Sequence, residues 1–222
     1  MLFRSVTNLN FFMEDADHAY EVLAAAGAKT KLRLPIGAGL RALLGPDLAR
    51  PEEEMRTLYF MGSRPLIGFD LEFTNRPWPD GVEQRVFYPS FTYPRPTSNH
   101  KVERLAALRV VVDDLERAVG NLTTLIHPDS RSEPYDQTSS AAEREIRVRL
   151  HDLELRYTQP LSTVSPYHSR LAVGGGIESA IFRTADPDAI VASVTDASVE
   201  QRDGGLRIGS REIVGFDIEL QT

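Results

Sequence analysis

Cysteine is absent from the 222-residue chain, which excludes disulfides, thiolate metal sites and cysteine nucleophiles. Lysine is scarce, occurring only at Lys29, Lys31 and Lys101, so arginine supplies the rest of the 25 basic residues. Arginine presents a planar, permanently charged fork suited to carboxylates and phosphates, and the bias points to a GC-rich bacterial genome. No apolar run approaches the roughly 20 residues of a membrane helix. The start, Met1-Leu2-Phe3-Arg4-Ser5, lacks the basic region, apolar stretch and cleavage site of a signal peptide, so the expectation is a cytoplasmic protein. There is no basic cluster and the net charge is −7, which argues against a phosphate-tracking surface for nucleic acid. With 41% hydrophobic and 26% charged residues the composition is that of a globular chain, long enough to bury a core without staples.

The sequence contains an internal repeat. Residues 62–73 read GSRPLIGFDLEF and residues 209–220 read GSREIVGFDIEL, identical at seven of twelve positions. A weaker third copy is His151-Asp152-Leu153-Glu154-Leu155. Each copy has a matching opening, a β-rich run that ends at an acidic residue where a helix begins. The runs are Asn8 to Asp15, Leu108 to Asp114 and Ala180 to Asp186; the helices are expected over 17–26, 115–126 and 187–195. Aspartate is a good N-cap and Pro187 suits a first helical turn. Val119, Leu122 and Ile126 recur at helical spacing. The expected fold is α+β, with three β-α-β-β-β-type units forming curved mixed sheets. Residues 1–102 would hold the first unit, an insertion from about Lys31 to Met55 and a proline-rich connector, and residues 103–222 would hold two units paired into one cup. Within the connector, Val86-Phe87-Tyr88 reads as an edge strand, where proline is tolerated.

On these residues the chain resembles the vicinal oxygen chelate superfamily of glyoxalase, bleomycin-resistance and extradiol dioxygenase proteins, as a divergent member. Leu108 to Val119 resemble that family's opening strand and helix start, Ser169 to Ile177 its connection into a further unit, and the strands ending at Glu154 and Glu219 its terminal strand. The resemblance implies a cup, usually around a divalent metal held by a first-strand histidine and a last-strand glutamate. The corresponding first-strand positions are Asn8, Ala107 and Ser179, none of them histidine, whereas Glu72, Glu154 and Glu219 keep the glutamate. Carboxylates without imidazole make a poor zinc, iron or nickel site, so no metal and no cofactor are expected.

Strand alternation sends Glu154, Glu219, Asp152, Arg156, Asp217, Arg109, Arg183 and Ser179 to the cup face and Glu178 to the opposite one. Buried carboxylates need partners. The expectation is that Arg109 and Arg183 replace the metal as the positive charge among Glu154 and Glu219. Two readings remain open: structural ion pairs, or an arginine-lined pocket formed by Arg109, Arg183, Asp152, Arg156, Ser179 and Asp217 for a small polar or anionic molecule. An enzyme, a lyase, isomerase or epimerase (or a metal-dependent dioxygenase-like one), would use Glu154 and Glu219 as acid and base, with His168 at the rim. A third outcome is a module that has lost its ligand. Gly174-Gly175-Gly176 lacks the strand-to-helix context of a phosphate loop and reads as a turn into the third unit. The odd number of units leaves the first without an internal partner, which predicts a homodimer through that unit.

Overall fold

The computed structural model describes residues 8–13, 15–35, 57–75, 102–125, 136–150, 153–192, 198–202, 205–210 and 216–222. Most of the insertion, the connector with its expected edge strand, His127, His151 and Asp152 lie outside the described residues. The chain divides into two compact units. One comprises 8–65 and 70–95; the other comprises 1–7, 66–69 and 96–222.

In the smaller unit, β1 (Asn8–Phe12) leads into α1 (Ala16–Ala25), followed by β2 (Lys29–Pro35), β3 (Thr57–Gly62) and β4 (Asp70–Thr74). The sheet order is β1-β4-β3-β2, with β1 and β4 parallel. The Asp15 carboxylate accepts the His18 amide at 3.1 Å and so caps α1. Beneath the helix, Leu23, Tyr59, Met61, Leu71 and Phe73 are buried. Tyr59 stacks on Phe73 at 5.3 Å and donates its hydroxyl hydrogen to Asp17.

The larger unit repeats that topology twice. Its first copy is β5 (Val102–Val111), α3 (Leu115–Leu125), β6 (Asp136–Ser139), β7 (Glu143–Leu150) and β8 (Leu153–Pro160). Its second is β9 (Gly176–Thr184), α5 (Pro187–Val191), β10 (Ser198–Arg202), β11 (Gly205–Gly209) and β12 (Asp217–Gln221). Two short helices complete the described set, α2 (Arg64–Ile67) and α4 (His168–Ala172). Antiparallel pairing of β5 with β9 joins the copies into one eight-stranded sheet, β10-β11-β12-β9-β5-β8-β7-β6. That pairing explains why β5 and β9 begin before the Leu108 and Ala180 runs that mark them in the sequence. The fold is α+β, with three copies of one β-α-β-β-β topology.

The expected helix starts are where the sequence puts them. Asp114 accepts the Arg117 amide at 2.9 Å and Asp186 accepts the Ala189 amide at 3.0 Å, with Pro187 in the first turn. The buried side of α3, Leu115, Ala118, Val119 and Leu122, is a helical stripe. On the sheet side lie Val110, Val148, Leu155 and Tyr157, all inaccessible. Tyr157 donates to the Ile67 carbonyl at 2.8 Å, and this burial drives its phenol pKa well up.

The repeated glycine of the GFD motif has a steric cause at Gly68. Its φ is +87°, and a Cβ there would lie 2.5 Å from Val110 Cγ1. The glycine run serves the turn into β9: Gly174, Gly175 and Gly176 all have positive φ. A Cβ on Gly175 would meet the Val111 carbonyl oxygen at 2.4 Å.

Candidate functional site

The site is built on one face of the eight-stranded sheet. Register sets its rows: Ala107 opposite Glu154, Arg109 opposite both Arg156 and Ser179, Ile181 opposite Glu219, and Arg183 opposite Gln221. Alternation therefore groups Arg109, Arg156, Arg183, Glu154, Glu219, Asp217 and Ser179 on a common face. Asp152 lies outside the described residues. His168 opens α4 with an exposed side chain.

Glu178 departs from that alternation. In the β5–β9 ladder Arg109 pairs with Ser179 and Val110 with Ile177, leaving Glu178 as an extra residue on β9. Such a bulge re-aims its side chain. Glu178 consequently reaches Arg207 at 2.7 Å and Arg170 at 3.8 Å, and Arg207 also binds Asp217 on the site face. The expectation that Glu178 points away fails because simple alternation assumes an unbulged strand.

Arg109 is the hub. It is 7% exposed and binds Glu219 through two nitrogens, Nε to Oε1 at 3.1 Å and Nη2 to Oε2 at 3.3 Å. Its Nη1 donates to Thr158 at 3.1 Å and to Glu145. Glu145 in turn accepts from Arg147 at 3.0 Å, and Ser179 donates to Glu219. The Tyr167 ring lies 4.9 Å from the Arg109 guanidinium and 5.9 Å from that of Arg207, within cation–π range.

Burial alone would push the Glu219 carboxyl up. The Arg109 charge, its hydrogen bonds and that of Ser179 outweigh this and hold it below the ordinary range. Glu145 is likewise lowered, burial being overcome by Arg109 and Arg147. The guanidinium of Arg109 is held charged by Glu219 and Glu145 against the opposing effect of burial.

Glu154 does not join this hub. It accepts from Arg156 at 2.6 Å, and Arg156 also donates to Gln221 at 3.1 Å. Beside them opens a cleft of about 360 Å³ lined by Arg104, Arg149, Arg156 and Arg183, with Glu154, Gln221 and Ala106. Arg104 and Arg183 stand directly opposite each other across β5 and β9. Like charges so placed are destabilising, by roughly 0.2–1 kcal/mol on the scale of cross-strand pairs. Neither has an ion-pair or hydrogen-bond partner among the described residues. Arg104 and Arg149 carried no sequence signal as site residues.

The donor set does not fit a divalent cation. Glu219 spends both oxygens on Arg109 and Ser179, Glu154 is held by Arg156, and the facing first-strand residues Ala107 and Ile181 have no donor. Among the described residues no three His, Asp or Glu side chains converge as a metal site. No helix among them is long and apolar enough to cross a membrane.

No protein-family model and no curated protein sequence matches the chain. Solved structures do. Methylmalonyl-CoA epimerase from Mycobacterium tuberculosis is 18% identical over 56% of this chain and 90% of its own, with a TM-score of 0.45. A substituted Streptomyces coelicolor methylmalonyl-CoA epimerase, in complex with 2-nitronate-propionyl-CoA, is 20% identical over 54% of this chain and 93% of its own, with a TM-score of 0.45. A mutant 4-hydroxymandelate synthase from Streptomyces coelicolor is 13% identical over 97% of this chain and 69% of its own, with a TM-score of 0.51. These neighbours belong to the vicinal oxygen chelate superfamily. At such identities the likeness concerns the fold, and the fold of this chain is that of vicinal oxygen chelate proteins.

Proposed function

We propose that the chain is a divergent vicinal oxygen chelate protein that binds a small polar or anionic molecule in the larger unit, without a metal. The observation that carries this reading is the arginine cleft. Four guanidiniums and one carboxylate line it, in a protein whose net charge is −7. A concentration of one sign of charge in a cleft focuses the local field and attracts the opposite ion. At about 360 Å³ the space is in the range of metabolite sites.

Acid–base catalysis is the rival, and it asks for a carboxyl tuned toward the working pH. Glu219 and Glu145 are tuned the other way, held ionised by Arg109. Their ion pairs read as structure, and the cleft around Arg183 and Arg156 as the ligand site. Calorimetric titration with small carboxylates and phosphates, in the presence of EDTA, tests the reading: saturable binding supports it, and binding that needs a divalent metal overturns it.

We also propose that the chain is a cytoplasmic homodimer assembled through the smaller unit. In support, β2 is one of the two edge strands of its sheet among the described residues, and Leu32 and Leu34 on it are 41% and 43% exposed.

A further inference from the structure

The charge pattern within the cleft goes further than its sign. Its carboxylate and its amide are both engaged with Arg156, at 2.6 Å from Glu154 and 3.1 Å from Gln221. Arg104 on β5 and Arg183 on β9 are opposed in register, and in the sheet they lie between Gln221 on β12, the neighbour of Arg183, and the Glu154–Arg156 pair on β8. The β5–β9 pairing shifts register between Leu105 and Ala107, leaving Ala106 as an extra residue in the cleft wall. Such a bulge bends the strand and re-aims its neighbours.

A single carboxylate can accept from two arginines, as Glu145 does from Arg109 and Arg147, but it carries one negative charge. Against two opposed guanidiniums it leaves one positive charge uncompensated. A phosphoryl group carries between one and two negative charges at neutral pH and three acceptor oxygens, enough to engage both forks and to offset their repulsion. We propose that Arg104 and Arg183 form a clamp for a phosphoryl group, so that the ligand of this cleft is a small phosphate monoester. This rests on the reading of the cleft as an anion site. Arg149 and Arg156 add positive charge to the same lining, which would receive any further acidic group of the ligand.

The test is isothermal titration of the full chain with inorganic phosphate, glycerol 3-phosphate and acetate at one fixed ionic strength with EDTA present, repeated on Arg104→Gln, Arg183→Gln and the double variant. The expected result is that both phosphates bind at least tenfold more tightly than acetate. Each single variant should weaken phosphate tenfold or more, and the double variant should abolish the preference over acetate. Because these two exposed arginines repel each other, the variants should melt at the wild-type temperature or above it without phosphate, which separates lost binding from lost folding. Acetate bound as tightly as phosphate, with both weakened by Arg183→Gln, would overturn the phosphoryl clamp and leave the anion site standing. Phosphate binding indifferent to both substitutions would also overturn it. If no anion binds, the clamp and the reading beneath it fall together.

Discussion

Arg109 and Glu219, 110 residues apart in the chain, meet as a two-point ion pair at 3.1 and 3.3 Å, at 7% and 6% exposure. The pair ties β5 of one repeat to β12 of the next, and Glu145 on β7 attaches the far side of the sheet to the same guanidinium. The sequence repeat thus delivers its last-strand glutamate to an arginine.

Truncating this hub leaves buried carboxylates without compensation. Removal of one partner of a buried pair costs about 3–5 kcal/mol. Arg109→Met should therefore destabilise the larger unit by that order in denaturant titration, whereas Arg109→Lys, which keeps the charge and loses the fork, should cost less. A loss below about 1 kcal/mol for Arg109→Met would show that Glu219 and Glu145 find other partners.

The pair also gives the stability an acid limb. Glu219 and Glu145 have folded-state pKa values below their ordinary 4.5. Their contribution is present above that unfolded value and is lost as pH falls through the lower folded values. Unfolding free energy should drop below about pH 4.5. In Arg109→Met burial is no longer opposed by that guanidinium and drives both carboxyls up, so the gap between variant and wild type should narrow as the pH falls. A gap that stays constant down to pH 3 would contradict the assignment.

Two glycines in the larger unit should respond in opposite directions. Gly68 has φ +87° and a Cβ site 2.5 Å from Val110, so Gly68→Ala should cost about 1–3 kcal/mol from backbone strain, with the clash in addition. Gly120 lies within α3 with nothing within 4 Å of its Cβ site, so Gly120→Ala should stabilise by about 0.5–1 kcal/mol. Thermal melts of the two variants check both signs.

The proposed dimer predicts a light-scattering mass of twice 24.8 kDa at micromolar concentration. Leu32→Asp and Leu34→Asp should shift it toward the monomer. A monomeric wild type would remove the dimer without touching the cleft.

Much of the fold was legible because its signals are local and repeated. Asp15, Asp114 and Asp186 mark three helix starts, and the acidic-apolar-Glu strand ends recur in all three units. Alternation was enough to assign Arg109, Arg183, Glu154 and Glu219 to one face. Partner choice was not legible. Glu154 and Glu219 occupy equivalent strand positions, yet one binds Arg156 and the other Arg109, a difference set by register between strands that are distant in sequence. Glu178 was misassigned because a β-bulge depends on the neighbouring strand. Arg104 and Arg149 become cleft residues through tertiary adjacency alone.

Arginine, rather than a metal ion, supplies the positive charge among the carboxylates of this sheet face. Elemental analysis of the chain purified without chelators measures this most directly. Far less than one divalent metal per chain is expected, unchanged in Glu219→Gln; a stoichiometric transition metal that disappears with Glu154→Gln or Glu219→Gln would contradict the arginine assignment.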